Sequence, residues 1–295
     1  MVIVEKERSG ALNILHREKQ KVQLRSGMDE LSGQLDQASR VRALSCLEQF
    51  AIRLKQFEVA HVDAVGTYTL RAAKDTEDFL RLASEVLTFP IRVISGEEEA
   101  RLIYVGASQR RDLSSKHLII DIGGGSTELI IGENNKILSL ASLPMGSVSF
   151  QEKFFKDFKL NQANFSSAID ASRKLAGSIK SQFLSLGWRH SLGSSGTIQA
   201  VLSIIRSLTP GETEITLSQL EAIAKRMIFM SEVNLIDFEE LRDDRKNIIA
   251  GGLSVLLGLF YELRISSMGL SKGALREGVL FEMMARLDQE IKSVK

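Results

Sequence analysis

Ile119-Ile120-Asp121-Ile122-Gly123-Gly124-Gly125-Ser126-Thr127-Glu128 is the stretch from which the fold is read. An apolar strand ends in an acid, three glycines and two hydroxyls follow, and a second strand begins. Without Cβ atoms, a glycine run lets the backbone approach a bound group and turn several N–H groups towards one anion. Ser126 and Thr127 add hydroxyl donors. Asp121 and Glu128 offer oxygen ligands for a divalent cation that bridges phosphate oxygens. The same glycines also suit a tight hairpin that needs nothing more than positive φ.

Two further stretches show a related pattern. Downstream, Gly193-Ser194-Ser195-Gly196-Thr197 again joins a strand to a helix, where backbone N–H groups favour an anion. A plain strand-to-helix turn with a Ser or Thr cap explains it equally well. It is neither a Walker loop, since no Gly-Lys-Ser/Thr is present, nor a serine-hydrolase elbow. Upstream, Ser95-Gly96-Glu97-Glu98-Glu99-Ala100-Arg101 opens a helix. Ser95 with Glu98 fits a capping box, and acids in a first turn suit the dipole. Local physics favours that cap over a glutamate that activates water.

Between these points, strand-like and helix-like segments alternate. Residues 2–5 and 11–24 read as a hairpin turning at Ser9-Gly10. Residues 35–57 place Leu35, Ala38, Val41, Leu44, Leu47, Ala51, Leu54 and Phe57 at helical spacing. Strands are predicted at 61–66 and 91–94, with helices at 75–86 and 96–108. The polar run Gln109-Arg110-Arg111-Asp112 closes this first unit, so the domains are read as 1–112 and 113–295. In the second, strands at 117–122, 127–131, 136–143, 188–192 and near 266–270 alternate with helices, and a last helix starts near Ala274. The pattern is α/β, with mixed sheets covered by helices.

Composition narrows the function classes. Hydrophobic residues make up 44% and charged residues 25%, ordinary for a globular chain. No apolar run approaches the roughly 20 residues that span a bilayer, and Met1-Val2-Ile3-Val4 is too short for a secretory signal. The single cysteine, Cys46, excludes an internal disulfide framework and fits a reducing, cytoplasmic compartment. No stable membrane insertion and no nucleic-acid partner are expected. His16, His61, His117 and His190 do not stand at metal-ligand spacing. The net charge is +1, so a polyanionic ligand must be held by local dipoles, a metal or a small basic patch. Arg242-Asp243-Asp244-Arg245-Lys246 reads as a solvated helix start. Arg71, after Thr67-Tyr68-Thr69-Leu70, is placed to touch an anion or to pair with a carboxylate.

Together these stretches resemble the Ppx/GppA phosphatase family along nearly the whole chain. Residues 65–71, 94–104, 120–128, 144–150, 193–200 and 273–280 carry the likeness in the family's order. The resemblance implies a two-lobed, ribonuclease H-like fold of the actin/Hsp70/sugar-kinase type, with a phosphate cleft between the lobes. The last helix is then expected to pack back on the first lobe. It implies Mg²⁺-dependent hydrolysis of a terminal phosphoanhydride, with Glu99 at the family's water-activating glutamate, which overrides the local preference for a cap. Asp121 and Glu128 fall at metal-linked acids. Gly123, Gly124, Gly125, Ser126 and Thr127 fall at one phosphate loop, and Gly193, Ser194, Ser195, Gly196 and Thr197 at another. Arg71 matches an arginine close to the cleft. A homodimer is a further family expectation.

Departures accompany the likeness. Members usually begin with a strand ending in Asp-x-Gly-Ser-Asn-Ser, and here Met1 falls just after that loop. The first phosphate loop and a central strand are therefore expected to be missing, with sheet edges exposed and, for this chain on its own, weak or no activity. The helical C-terminal domain of longer members is likewise not in these 295 residues. Ser147 stands at a common cysteine and Lys272 where an acid is frequent. Gly66, the three consecutive glycines, and Met145-Gly146-Ser147-Val148-Ser149-Phe150 lean towards an exopolyphosphatase acting on inorganic polyphosphate. Guanosine pentaphosphate hydrolysis is the alternative within the family. A non-catalytic phosphate- or nucleotide-binding module is the alternative outside it.

Overall fold

The computed structural model describes residues 1–7, 10–29, 31–109 and 114–293. They form two compact units, one of Met1–Ser95 with Met283–Lys295, the other of Gly96–Glu282. Residue 112, where the sequence places its boundary, lies outside the described residues, as does Ser9 of the predicted turn.

The first unit opens with β1 (Val2–Lys6) and β2 (Leu12–Arg17), paired antiparallel from Val2↔Arg17 to Lys6↔Leu12. Gly10 turns the hairpin at φ +88°, a conformation that favours glycine. The second arm stops at Arg17 instead of reaching Leu24, because the polar run Glu18-Lys19-Gln20-Lys21 breaks the alternation. α1 (Gln37–Gln56) starts where Asp36 accepts the Ser39 amide at 2.6 Å. β3 (Ala64–Gly66), α2 (Tyr68–Ala72), α3 (Thr76–Leu87) and β4 (Ile91–Val93) follow, with β3 and β4 parallel. The single mixed sheet expected here is instead two separate two-stranded ribbons. They share a core without sharing hydrogen bonds: Ile3 of β1 packs with Leu54 and Leu87, against Ala64 of β3 and Ile91 of β4.

The second unit contains α4 (Gly96–Ser108), β5 (His117–Ile122), β6 (Thr127–Glu133), β7 (Lys136–Leu143), α5 (Ser147–Phe154), α6 (Gln162–Leu186) and β8 (His190–Gly193). It continues with α7 (Gly196–Leu208), β9 (Glu214–Thr216), α8 (Leu217–Met230), α9 (Asp243–Lys246), α10 (Ile249–Leu263), β10 (Ser267–Leu270) and α11 (Leu275–Ser293). The six strands make one mixed sheet in the order β7-β6-β5-β8-β10-β9. β5, β8 and β10 run parallel, and β6, β7 and β9 pair antiparallel. Leu118, Ile120, Leu129 and Ile131 face one side and join the large core with α5–α8 and α10. Ile119, Ile130 and Leu192 face the other side, against Ala100, Ile103, Tyr104 and Ala107 of α4.

Two helices show why their glycines are there. α10 is buried along nearly its whole length. A Cβ on Gly251 would lie 2.4 Å from the Ser147 carbonyl oxygen, so α10 and α5 touch backbone to backbone. At the start of α11, a Cβ on Gly278 would lie 1.8 Å from the Leu102 carbonyl oxygen of α4. The end of α11 belongs to the first unit, where Arg286 pairs with Asp63 at 2.9 Å and Lys6 pairs with Asp288.

Candidate active site

The antiparallel ladder of β5 and β6 sets Asp121 opposite Glu128. Since side chains alternate along a strand, both lie on the face of Ile119 and Ile130, the one covered by α4. Glu99 comes to that face from the first turn of α4. Its two neighbours do not share this environment: Glu97 is exposed, and Glu98 forms a two-pronged pair with Arg101 at 2.7 and 2.8 Å. Glu99 is 8% exposed, an unusual place for an acid in a helical first turn.

Glu128 is buried, and its environment is acidic. Burial pushes its carboxyl pKa up to about 8, and the charges of Glu99 and Asp121 push the same way. Hydrogen bonds from Ser126 and from Ser142 Oγ (2.8 Å) oppose the shift without cancelling it. Asp121 accepts from Ser194 Oγ at 2.5 Å, which ties the first glycine loop to the second. Three carboxylates thus converge on a weakly solvated spot at the end of β5. Among the described residues no three His, Cys, Asp or Glu side chains already form a cation cage.

The loop between β5 and β6 is held from behind. Its Gly123 and Gly124 carbonyls accept the first amides of α5: Ser147 N–H to Gly123 at 2.9 Å, and Val148 and Ser149 N–H to Gly124 at 2.9 and 3.0 Å. A helix start that needs acceptors therefore fixes the loop. Gly146 makes room for it, since a Cβ there would lie 2.4 Å from the Gly124 carbonyl carbon. None of the three loop glycines has a left-handed φ, so close approach and not turn strain is what they supply. Among the described residues the Gly124 and Gly125 amides have no protein acceptor. The hydroxyls are already engaged: Thr127 Oγ1 donates to the Met145 carbonyl at 2.6 Å, and Ser126 to Glu128.

The second loop combines structure and site. Ser195 is the N-cap of α7, accepting the Ile198 amide at 3.2 Å, and Thr197 Oγ1 donates to the Ile122 carbonyl at 3.4 Å. Gly193 leaves space for Ile198 and Met268. Gly196 leaves space for an arginine: a Cβ there would lie 2.3 Å from Arg245 Nη2. Burial, then the Arg242 charge, lowers the pKa of that guanidinium. Arg71 lies in the other compact unit, where Nη1 donates to the Ile94 carbonyl at 2.8 Å and the guanidinium sits 5.9 Å from the Tyr68 ring centre.

Arg245 and Ser142 are the two residues the sequence reading passes over. Within residues 242–246, Arg242 pairs with Asp244 and Lys246 with Asp243, so both acids are spent and Arg245 remains. That pairing is settled by the helix turn, so the sequence alone does not single Arg245 out. Ser142 reaches Glu128 only through the β6–β7 register, which no local spacing encodes.

A profile of the Ppx/GppA phosphatase family matches residues 2–287. The guanosine-5'-triphosphate,3'-diphosphate pyrophosphatase of Vibrio vulnificus is 40% identical over 290 residues, covering 98% of this chain and 58% of that protein. Its namesake from Pseudoalteromonas translucida is 39% identical over 286 residues, covering 97% and 57%. The chain thus spans under three fifths of the length of these curated relatives. Among solved structures, an exopolyphosphatase from Cytophaga hutchinsonii superposes with a TM-score of 0.85 at 22% identity, covering 96% of this chain and 93% of that one. The Aquifex aeolicus Ppx/GppA family member gives 0.75 at 22% identity, covering 97% and 93%.

Proposed function

The chain belongs to the Ppx/GppA phosphatase family, and on that premise we propose that it hydrolyses a terminal phosphoanhydride, with guanosine 5'-triphosphate 3'-diphosphate as its substrate. The observation that carries the chemistry is the meeting of Glu99, Asp121 and Glu128 beside the Gly124 and Gly125 amides, which have no protein acceptor among the described residues. The relatives at 39–40% identity carry the choice of substrate. The sequence cues for inorganic polyphosphate have packing explanations. Gly66 admits Leu70, whose Cδ1 would lie 2.5 Å from a Cβ there, and Gly146 admits the loop at Gly124. They therefore say little about substrate.

In this reading Glu99 takes a proton from water as the water oxygen bonds to the terminal phosphorus. The opposite anhydride P–O bond breaks, its electron pair goes to the bridging oxygen of the departing guanosine 5'-diphosphate 3'-diphosphate, and orthophosphate is released. The Gly124 and Gly125 amides and the Arg245 guanidinium hold the charge on the phosphoryl oxygens. Asp121 and Glu128 would hold Mg²⁺. Their hard oxygen donors suit it, and of the causes that raise the Glu128 pKa, burial first and then the charges of Glu99 and Asp121, the second is what a divalent cation relieves. Bound there, Mg²⁺ supplies charge neutralisation of the phosphate oxygens.

The test is phosphate release from the guanosine substrate and from long-chain polyphosphate, with and without Glu99→Gln. The expected result is turnover that favours the nucleotide and falls about 10²–10⁴-fold in the variant. Faster turnover of polyphosphate would reverse the substrate assignment. Binding of both ligands with no phosphate release would leave the non-catalytic module as the better reading.

A further inference from the structure

We propose that the second unit carries a separate site for a multiply phosphorylated anion, in a pocket of about 600 Å³ along β8, β10 and β9. Pockets of a few hundred Å³ are the size that takes a nucleotide-sized ligand. Four cations line this one: Arg189 before β8, Arg206 near the end of α7, Arg264 at the end of α10 and Lys272 after β10. One carboxylate, Glu214, lines it with them.

The cations come from four different elements and converge, unlike the charged stripe of a single solvated helix. Among the described residues none of them is paired with a carboxylate, and Arg206 is tethered only by Nε, to the Glu212 carbonyl at 2.9 Å. Arg264 occupies a left-handed helix end, φ +54°, where glycine is favoured. A chain with a net charge of only +1 has nonetheless gathered four cations around one concavity. Arg264 and Lys272 bracket β10, a strand about 13 Å long, so the charge is spread along an axis and not focused on a point. That suits a chain of phosphates better than a single one, and guanidinium forks match phosphate oxygens in pairs.

The pocket is not the candidate active site. α7 carries Ser195 and Gly196 at its start and Arg206 near its end, about 15 Å along the helix; Glu99, Asp121, Glu128 and residues 193–197 do not line the pocket, which comes nearest to them at Leu192. The sheet face bearing Leu192 is covered by α4 over β6 and β7, while the β8–β10–β9 part of the sheet lines the pocket. Trp188, the only tryptophan of the chain, also lines it, and its ring offers a stacking surface for a base. The proposal does not rest on the phosphatase reading.

The test uses the full chain carrying Glu99→Gln, which removes turnover of the probes. Inorganic tripolyphosphate and guanosine 5'-diphosphate 3'-diphosphate are titrated separately, by calorimetry for stoichiometry and by Trp188 fluorescence for location. The same titrations are run with Arg189→Gln and Arg264→Gln added. Arg189 and Arg264 are both exposed, so a melting curve suffices to confirm that their substitution leaves the fold intact. The expected result is a saturable Trp188 signal whose affinity falls at least about ten-fold in the double substitution. The substitution also removes one ligand per chain. A signal from the nucleotide alone assigns the site to nucleoside polyphosphates, and a signal from both assigns it to the phosphate chain they share. No binding at millimolar concentration, or stoichiometry and affinity unchanged by the substitutions, overturns the proposal.

Discussion

Glu128 carries the clearest consequence at the scale of single residues. Its pKa is raised from an ordinary carboxyl value of 4.5 to about 8, so between those limits the folded chain holds a proton that the unfolded chain has released. The stability this contributes is present below pH 4.5 and is lost as pH rises through about 8. Glu128→Gln keeps the shape and removes the titration. In chelator-treated buffer its unfolding free energy is expected to gain on the parent steadily from pH 5 to pH 8, with a final advantage on the order of a few kcal/mol. A constant difference across that range would show that Glu128 is not the group that titrates. Arg245 supports a second expectation. Its guanidinium lies against Gly196 and no carboxylate neutralises it among the described residues, so Arg245→Gln should lower kcat about 10²-fold with little change in melting temperature. The acids beside the glycine runs were legible because their type and position carry the chemistry. Arg245 was not, because its role depends on which neighbours Asp243 and Asp244 pair with, and that is settled only once the helix turn has formed.

At the scale of elements, legibility follows periodicity and fails where periodicity is ambiguous. The apolar series at Ala38, Val41, Leu44 and Leu47 advances three residues at a time, and each step falls about 60° short of a full turn. The series therefore walks round the helix. Ala38 and Val41 end exposed, while the buried face runs through Ser39, Ala43, Cys46 and Leu54. The β5–β6 hairpin is unambiguous, since an apolar run on both sides of three glycines leaves one solution, and it is found with the expected start at His117. Backbone-to-backbone helix contacts are invisible in a single sequence, because a helical glycine looks like a defect until its neighbour is known. Gly278→Ala would force a methyl into the Leu102 carbonyl, where neither backbone can yield cheaply. A loss of about 1–3 kcal/mol in urea unfolding is expected. A neutral result would mean that α11 can shift along α4.

At the scale of the whole molecule, the sequence reveals that the chain is α/β and that its later half builds a mixed sheet, because each strand there is bounded by glycine or polar turns. It does not reveal that β10, the last strand in the chain, inserts between β8 and β9, since that choice rests on long-range burial of Met268 and Ile215. The same long-range assembly brings three carboxylates from a helix and two strands to one place, so Mg²⁺ held there as proposed would couple its binding to global stability. A cation that binds the folded chain and not the unfolded one raises stability by mass action. Mg²⁺ should therefore raise the melting temperature, and the gain should shrink in Asp121→Asn and in Glu128→Gln. It must also depend on pH. To ligate, Glu128 has to give up the proton it holds below about pH 8, so each Mg²⁺ bound near neutrality releases proton to the buffer. The shift is thus expected to be small at pH 6 and larger at pH 8, and calorimetry in buffers of different ionisation enthalpy should count the proton released. A Mg²⁺ shift that is equal at the two pH values, and equal in the parent and Glu128→Gln, would place the cation elsewhere in the molecule.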